Sequence, residues 1–475
     1  MKEAMQQLNP TIEKRAGLAE VTVAMRRVKA LTEKARPRYH IETFGCQMNV
    51  HDSEKLAGML EQMGYTGAKR AGEADLILMN TCCVREHAES RAFGHLGAFA
   101  DNKRENPNLV VAVCGCMMQQ KDVALRVKQR FPFVDIIFGT HNLHRFPLML
   151  LRVLENRVRV FEVHCEAGGI VEGLPACRRK AAQAFVTIMQ GCTNFCTYCI
   201  VPHVRGPERS RDAENILSEA RGLAESGVKE ITLLGQNVNA YGKDLMHGPG
   251  FADLLWGVAK IDGIERIRFM TSHPKDVSDA LIEAMAGCEK VCRHIHLPVQ
   301  SGSTAILRAM NRKYTKEDYL ALAGRMKDAV PGLEITTDII VGFPGETRED
   351  FDETLDLVRR AGFSAAFTFM YSPRKGTPAA KLADRVEKAV KKERLLELNA
   401  LVAGMTAREN EAYVGRTERV LVEGVRESGG ERLYYSRTHA SKTLCFTGDA
   451  APGDITTVTI THTRELSLHG KQAGA

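Results

Sequence analysis

The sequence lacks any long apolar run. None of its apolar stretches approaches the roughly 18 residues that a membrane-spanning helix needs. The N-terminal stretch MKEAMQQLNPTIEKRAGLAE is charged and mixed, so it has no apolar core of the kind found in secretion signals. We therefore expect a cytoplasmic protein with no membrane partner.

A strong excess of one charge sign is also lacking. The net charge is +7 over 475 residues, with 44% hydrophobic and 26% charged residues, which is ordinary for a globular protein. Such a charge permits an anionic partner but does not require one. Residues 1–36 contain eight Lys/Arg and four Asp/Glu. The acids argue against a transit peptide, and we predict a basic N-terminal extension that is poorly ordered or helical.

The chain is too long for one hydrophobic core, so we expect several domains. In residues 37–155 strand-like runs alternate with amphipathic stretches, which predicts an α/β fold with an open parallel sheet. Residues 156–180 contain Gly and Pro and are predicted to be a linker. Six further strand–helix units over 181–410 are too few for a closed eight-fold barrel and predict a partial (βα)6 barrel. Short β-like runs over 412–475 predict a small antiparallel β-barrel.

A fourth thiol is missing from the most cysteine-dense segment. MQGCTNFCTYCIVPHVRGPERSR contains Cys192, Cys196 and Cys199, here called the central cysteine set. Four thiolates complete a structural zinc site or a ferredoxin-type cluster. Three thiolates on a four-iron cluster leave one iron open to a cofactor. The set follows the predicted strand AFVTIMQ, at the end where barrel-like proteins gather active-site groups. Three unrelated buried thiols, or a zinc ion with His203 as a remote ligand, are the alternatives.

A second set of three cysteines occurs near the N-terminus. TFGCQMN, NTCCVRE and CGCMMQQ each follow a predicted parallel strand, so Cys46, Cys82 and Cys116 should meet at the carboxyl edge of the sheet. We call these three the N-terminal cysteine set. Successive residues on a strand point in different directions, so one of each neighbouring pair should be spare, and Cys83 and Cys114 stay alternatives. Buried core thiols are the other interpretation. The thirteen cysteines of a chain without a secretion signal favour metal use over disulfides.

Both sets resemble the motifs of known enzymes. CTNFCTYC after the first strand of a six-unit βα domain resembles the radical S-adenosylmethionine (SAM) superfamily. The three N-terminal motifs resemble those of the methylthiotransferases, matching the N-terminal cysteine set. The segments ITLLGQNVNAYG, FMTSHPKD, HIHLPVQSGS and DIIVGFPGET resemble the MiaB-type subgroup, and the resemblance covers about residues 37–470.

The resemblance implies a transferase with two [4Fe–4S] clusters that uses two SAM molecules per turnover. It implies addition of a methylthio group to C2 of N6-isopentenyladenosine beside the anticodon in tRNA. The cluster on the central set would cleave SAM to a 5′-deoxyadenosyl radical, and the cluster on the N-terminal set would hold or supply the sulfur. The implied partners are tRNA, an external electron donor such as flavodoxin or ferredoxin, and a sulfur or cluster donor. We expect a monomer.

Polar residues follow the predicted barrel strands, where they would face the cofactor. They are Gln236, Asn237, Ser272 and Gln300. Loop capping is the alternative for each. Arg205, Arg209 and Arg211 are interpreted as partners of the SAM carboxylate or of an RNA phosphate, or as a solvated basic face.

The C-terminal segment resembles a TRAM domain, an RNA-binding module of tRNA-modifying enzymes. Residues 412–475 contain eight Lys/Arg and seven Asp/Glu, so RNA binding would have to come from a local face. The basic candidates are Arg416, Arg419, Arg437 and Lys442, with Tyr434 or Tyr435 for base stacking.

Three other functions compete with this interpretation. Within the same chemistry they are methylthiolation of N6-threonylcarbamoyladenosine in tRNA and of a ribosomal-protein aspartate, and the segment LLGQNVNAYG favours the isopentenyl substrate over both. A non-catalytic iron–sulfur protein that binds RNA or transfers electrons is the rival from another class. Two sets of three cysteines argue against it, because electron carriers normally complete four ligands.

Overall fold

The computed structural model describes residues 10–83, 88–163, 168–178, 182–382, 386–428 and 431–474. The chain forms two compact units. The first comprises the N-terminal 179 residues with Gln190–Thr193 and Ile200–Arg209, and the second comprises the remainder. No helix within the described ranges is long and apolar enough to cross a membrane. The sequence predicts that Cys165, which belongs to neither cysteine set, is a buried or idle thiol; it lies outside the described residues.

The first unit is built on a parallel sheet. Its strands are β1 (Arg38–Thr43), β2 (Thr66–Gly67), β3 (Leu76–Thr81), β4 (Val110–Gly115), β5 (Ile136–Phe138) and β6 (Val160–Glu162). Its helices are α1 (Pro10–Thr32), α2 (Gln47–Gln62), α3 (Ala88–Glu105), α4 (Lys121–Arg130) and α5 (Phe146–Asn156). The strand order is β2-β1-β3-β4-β5-β6. Every residue of β3 and β4 is buried, as expected when both faces of a parallel sheet are covered. The predicted open α/β sheet is confirmed.

The basic N-terminal stretch contributes to the core of this unit. Val21, Ala24 and Val28 on α1 are buried in the same hydrophobic cluster as residues of α5. The Arg27 guanidinium lies 2.5 Å from the Glu155 carboxylate on α5. The stretch is therefore helical from Pro10 and packed, rather than poorly ordered, over the described part.

A short segment then alternates between the two units. It contains β7 (Gln183–Thr187), β8 (Met189–Gln190), α6 (Val201–Arg205) and β9 (Arg209–Ser210). Strand β7 belongs to the second unit and helix α6 belongs to the first. This segment includes the whole central cysteine set.

The second unit contains the partial barrel. Its further strands are β10 (Glu230–Leu234), β11 (Arg266–Phe269), β12 (His294–His296), β13 (Glu334–Val341) and β14 (Ala365–Met370). Its helices are α7 (Ala213–Glu225), α8 (Phe251–Ala259), α9 (Asp279–Gly287), α10 (Thr304–Ala309), α11 (Lys316–Ala329), α12 (Arg348–Ala361) and α13 (Lys388–Glu411). Strands β7, β10 and β11 form one parallel sheet and β12, β13 and β14 another. A parallel bridge between Ile267 and Val291 joins them. The six strands form the predicted partial (βα)6 barrel.

The C-terminal strands close into a small barrel in the second unit. They are β15 (Thr417–Ser428), β16 (Glu431–Arg437), β17 (Thr443–Thr447), β18 (Ile455–Arg464) and β19 (Ser467–Gln472). The closed order is β15-β16-β17-β19-β18. The predicted barrel is confirmed, with one correction: β17 and β19 run parallel. The reason is that β18 pairs antiparallel with β15, so β19 returns antiparallel to β18 and lies beside β17 in the same direction.

Buried hydrogen bonds join this barrel to residues near the amino ends of the core strands. Arg268 on β11 donates to the Glu230 carboxylate over 2.9 Å, to the Thr438 carbonyl over 2.9 Å and to the Ser441 hydroxyl over 2.7 Å. The Tyr413 hydroxyl donates to the Glu334 carboxylate over 2.8 Å. These contacts leave the carboxyl ends of the strands, where catalytic groups gather, away from the barrel.

Replacing Arg268 with alanine is expected to lower the free energy of unfolding by about 3 kcal/mol or more, because it removes the cation nearest a buried carboxylate. Denaturant unfolding measures this loss. The matched control is Arg325→Ala, whose exposed pair with Asp279 spans 2.9 Å and should contribute about 1 kcal/mol or less. Equal losses in the two variants would contradict the role of the buried pair.

Candidate metal centres

The N-terminal cysteine set lies at one edge of the sheet in the first unit. Cys82 directly follows β3 and Cys116 directly follows β4, and Cys46 comes after β1 as the N-cap of α2. These three strands are neighbours and parallel, so their carboxyl ends meet. Cys82 and Cys116 are buried and Cys46 is exposed. The arrangement predicted from the sequence is therefore present.

A glycine allows the first two cysteine segments to approach each other. Gly45 has φ +112°, and a Cβ atom built on it would lie 2.6 Å from Cys82 Cβ and 2.8 Å from Cys82 Sγ. Only glycine combines that backbone conformation with so close an approach. The TFGCQMN motif thus requires glycine before its cysteine.

Replacing Gly45 with alanine is expected to remove most of the iron bound by the N-terminal cysteine set, because the new methyl group displaces Cys82. Iron analysis after anaerobic reconstitution measures this. Gly97→Ala on α3 is the control, because nothing lies within 4 Å of a Cβ there. Full iron binding by the Gly45 variant would contradict the argument.

The structure distinguishes Cys114 from Cys116, the two cysteines near the end of β4. Cys114 packs into the hydrophobic cluster on one face of the sheet, whereas Cys116 and Cys83 pack on the other. Burial raises the pKa of the Cys114 thiol, which suits a core residue. A hydrogen bond with Cys83 and the nearby Arg205 guanidinium lower the pKa of the Cys116 thiol to about 6. Cys114 is thus a core thiol, whereas Cys116 lies beside Arg205 at the carboxyl edge of the sheet. Cys83 stays an alternative to Cys82.

An arginine that follows the central set faces this edge. Arg205 on α6 is 4% exposed. Its Nε donates to Cys116 Sγ over 3.2 Å, and its Nη2 donates to Asn49 Oδ1 over 2.9 Å and to Asp52 Oδ2 over 2.7 Å. The sequence suggested a SAM carboxylate or an RNA phosphate as the partner of Arg205. The guanidinium instead contacts a cysteine of the N-terminal set, together with two polar side chains of α2.

Two asparagines of the motifs hold the strand ends together. Asn49 Nδ2 donates to the carbonyls of Phe44 (2.8 Å) and Thr81 (2.9 Å). Asn80 Nδ2 donates to the Asn49 carbonyl over 2.9 Å and to the Ser53 hydroxyl over 3.0 Å. Sequence reasoning missed both, although each stands within three residues of a cysteine.

The central cysteine set begins in the first unit. The Cys192 N–H donates to the Gly206 carbonyl over 3.1 Å. Gly191 has φ +82°, and a Cβ there would lie 1.9 Å from the Pro207 carbonyl oxygen. The loop after β8 therefore returns tightly on the segment that follows α6.

The other two members of the set belong to the second unit. The Cys199 N–H donates to the Cys196 carbonyl over 3.0 Å, and the Thr197 N–H donates to the Met310 carbonyl over 3.0 Å. Arg312, a buried residue, donates to Cys196 Sγ over 3.6 Å. Sequence reasoning missed Arg312, because MNRKY has the composition of an exposed turn.

The described residues contain no group of three or more His, Cys, Asp or Glu side chains close enough to hold one metal ion. A four-iron cluster distributes its thiolates over separate irons, so its ligands do not have to converge on a single point.

The predicted cofactor-binding residues lie at the carboxyl ends of neighbouring barrel strands. Gln236 and Asn237 follow β10, Ser272 follows β11 and Gln300 follows β12. Asn237 Nδ2 donates to Asp276 Oδ2 over 2.8 Å. The Ser272 hydroxyl is buried and makes no hydrogen bond within the part of the chain that the structure describes.

Backbone strain accompanies these strand ends. Gln300 is a buried non-glycine residue with φ +75°, and Thr271 before Ser272 has φ +70°. Left-handed non-glycine residues are uncommon and concentrate at functional sites. The Gln300 N–H donates to the Asp338 carbonyl over 2.9 Å, which holds the strained residue against β13.

Two histidines of β12 share one face, as their spacing predicts. His294 and His296 each contact the Thr336 hydroxyl over 3.0 Å, and His296 Nε2 lies 3.5 Å from Asp338 Oδ2. Burial lowers the pKa of His294 to about 3. His294 is therefore neutral.

The basic candidates of the C-terminal barrel divide into two groups. Arg416, Arg419 and Arg437 are exposed; Arg419 pairs with Glu265 over 2.8 Å and the Arg416 guanidinium lies over an aromatic ring. Lys442 does not fit the prediction of an RNA-facing residue, because it is 9% exposed and its Nζ lies 3.6 Å from the Glu334 carboxylate.

The aromatic candidates also differ. Tyr434 is 1% exposed, and its ring stacks on Phe446 at 5.3 Å between ring centroids. Tyr434 is therefore a core residue. Tyr435 is half-buried and is the tyrosine of this pair that can stack on a base.

Comparisons with known proteins agree with this architecture. Residues 186–358 match the radical SAM superfamily, residues 38–139 match the family described as uncharacterized protein family UPF0004, and residues 411–472 match the TRAM domain. A solved structure of the radical S-adenosylmethionine methyltransferase TsrM from Kitasatospora setae is similar in fold, with a TM-score of 0.53 and 15% identity. The similarity covers 73% of this chain and 77% of that one.

Curated relatives match over most of the length. The tRNA-2-methylthio-N(6)-dimethylallyladenosine synthase of Alkaliphilus oremlandii is 54% identical over 91% of this chain and 92% of its own length. The enzymes of the same name from Acetivibrio thermocellus and Clostridium botulinum are each 52% identical over 91% of this chain, and over 90% and 96% of their own lengths. The two cysteine sets, the partial barrel and these similarities lead to one conclusion: the chain belongs to the family of tRNA-2-methylthio-N(6)-dimethylallyladenosine synthases.

Proposed function

We propose that this protein is a radical SAM methylthiotransferase that adds a methylthio group to C2 of N6-isopentenyladenosine (N6-dimethylallyladenosine) beside the anticodon in tRNA. The observation that carries the proposal is the presence of two separate sets of three cysteines. One lies at the edge of a parallel sheet and the other follows the first strand of the barrel. The names of the relatives support the substrate.

The residues present fit two iron–sulfur clusters. The N-terminal cysteine set would hold one [4Fe–4S] cluster and the central set the other, since thiolates are the ligands these clusters take. Each set has a buried arginine that donates to one of its sulfurs, Arg205 to Cys116 and Arg312 to Cys196. Such cations offset the negative charge of a thiolate-bound cluster. When bound, the clusters and two SAM molecules supply the radical and sulfur chemistry that an inert C–H bond requires and side chains lack.

The chain's own residues bind and orient the cofactor and substrate. Asn237, Ser272 and Gln300, with Gln236, are proposed to contact SAM at the carboxyl ends of the strands. Ser272 supports this because its buried hydroxyl makes no hydrogen bond within the described ranges. Arg312 also donates to the Pro298 carbonyl over 2.5 Å, which holds the end of β12 beside the segment that carries Cys196.

The partners follow from the same proposal. Arg416, Arg419 and Arg437 would contact tRNA phosphates, and Tyr435 would stack on a base. Reduction of the clusters requires an external electron donor such as flavodoxin or ferredoxin, and repeated turnover requires a sulfur or cluster donor. We propose that the protein acts as a monomer in the cytoplasm.

An anaerobic assay tests the activity. The reconstituted protein is incubated with SAM, dithionite and tRNA that carries N6-isopentenyladenosine, and the products are measured by mass spectrometry. We expect 5′-deoxyadenosine and 2-methylthio-N6-isopentenyladenosine. A parallel reaction with tRNA that carries N6-threonylcarbamoyladenosine should give no methylthio product. Product from that tRNA alone would reverse the substrate assignment, and no 5′-deoxyadenosine from either would contradict the enzyme function.

A further inference from the structure

The Arg205 side chain is a buried cation. It is 4% exposed, and burying an unpaired cation is strongly unfavourable. A buried arginine persists only where acceptors satisfy its guanidinium. The placement of those acceptors therefore indicates what the residue does.

The acceptors of Arg205 connect two cysteine segments of the first unit. Its Nη2 donates to Asp52 over 2.7 Å and to Asn49 over 2.9 Å. Both acceptors lie in the first half of α2, the helix whose N-cap is Cys46. Its Nε donates to Cys116 Sγ over 3.2 Å. One planar guanidinium thus joins the helix that Cys46 begins to the sulfur of Cys116.

The hydrogen bonds of Arg205 also connect, through Asn49, to the residue before Cys82, the third cysteine of the N-terminal set. Asn49, which accepts from Arg205, donates through Nδ2 to the carbonyl of Thr81 over 2.9 Å, and Thr81 immediately precedes Cys82. Arg205 uses Nη2 for its ion pair with Asp52 and the separate Nε–H group for its hydrogen bond to Cys116 Sγ.

We propose that Arg205 is a positioning residue for the cluster held by the N-terminal cysteine set, and that its hydrogen bond to Cys116 raises the reduction potential of that cluster. The inference rests on the proposed function, which places a cluster there. Reduction adds negative charge to the cluster, and a donor or a cation beside a ligand sulfur stabilises that charge. The residue that keeps this sulfur-bearing cluster reducible thus comes from the segment that follows the central cysteine set.

The test uses the full chain with Cys192, Cys196 and Cys199 replaced by alanine, so that only the N-terminal cluster can form. Arg205→Met and Arg205→Lys are made in this background, and all proteins are reconstituted anaerobically. Iron and sulfide are counted, and the midpoint potential is determined by a redox titration followed by electron paramagnetic resonance. We expect a lower midpoint potential in Arg205→Met. Arg205→Lys should show a smaller shift, because lysine keeps the charge but lacks the fork that reaches three acceptors.

Arg394→Met is the matched control. Arg394 is also a buried arginine, and it pairs with a buried carboxylate, Glu346, over 2.6 Å, but it lies in the second unit. It should lose comparable stability and leave the midpoint potential unchanged. If Arg205→Met binds no iron while its circular dichroism and melting temperature match those of the control, the positioning role is supported and the lysine variant reports the potential.

Two results would overturn the inference and are distinguishable. An unchanged midpoint potential in both Arg205 variants would remove the role of Arg205 and leave the proposed cluster intact. Failure of the parent background to bind iron would contradict the cluster itself, and with it the proposed function.

Discussion

Alanine at Cys192, Cys196 or Cys199 is expected to abolish both the release of 5′-deoxyadenosine and the formation of methylthio product. Two thiolates leave a four-iron cluster without its third anchor, and amino-acid side chains do not supply the radical chemistry that the inert C2–H bond requires. Iron content should fall from about eight to about four per chain, since one of two four-iron clusters is lost. Liquid chromatography with mass spectrometry measures both products, and iron analysis follows the cluster.

Cys288→Ala provides the control for this experiment. Cys288 belongs to the second unit, like Cys196 and Cys199, but it is buried in the hydrophobic core of the barrel. Its replacement should leave both products and the iron content near the parent values. Retention of 5′-deoxyadenosine by a Cys192, Cys196 or Cys199 variant would contradict the assignment of the central set.

Alanine at Cys46, Cys82 or Cys116 is expected to separate the two activities. These variants should still release 5′-deoxyadenosine, because the central set is intact, but methylthio product should fall below detection. Iron should again fall to about four per chain. The same two assays measure the outcome, so the two sets are compared under identical conditions.

Cys83→Ala distinguishes the spare thiol from the ligand. Cys82 lies against Gly45 beside Cys46, whereas Cys83 forms its hydrogen bond with Cys116. We expect Cys83→Ala to keep its iron and most of its product. If Cys83→Ala loses the cluster and Cys82→Ala keeps it, Cys83 is the ligand and Cys82 is the spare thiol.

The positions of the cysteines could be predicted from the sequence because topology determines them. Parallel strands place their carboxyl ends at one edge, so residues that directly follow β3 and β4, such as Cys82 and Cys116, must be neighbours. The same rule located Ser272 and Gln300 at the ends of adjacent barrel strands. The need for glycine at position 45 could not be predicted, because it depends on a backbone angle and a contact distance that only the structure gives.

The partners of Arg205 could not be predicted, because Cys116 lies 89 residues away in sequence and Asn49 and Asp52 lie 156 and 153 residues away. A basic residue after a cysteine motif has the same pattern whether it faces solvent, phosphate or a buried sulfur. Lys442 was predicted to face RNA but is buried against Glu334, because the small barrel docks on the core there. The two-residue strand β2 and the three-residue strand β6 are too short to show a strand pattern in the sequence, and β19 (SLHGKQ) is mostly polar.

The central claim is that this chain methylthiolates N6-isopentenyladenosine in tRNA. It is tested most directly in a bacterial strain that lacks this activity and accumulates the unmodified nucleoside. The strain is complemented with this chain or with its Cys192→Ala variant, and its tRNA nucleosides are quantified by mass spectrometry. The account predicts that the parent chain restores 2-methylthio-N6-isopentenyladenosine and that the variant does not. Unchanged N6-isopentenyladenosine with the parent chain, or a methylthio group on N6-threonylcarbamoyladenosine instead, would contradict it.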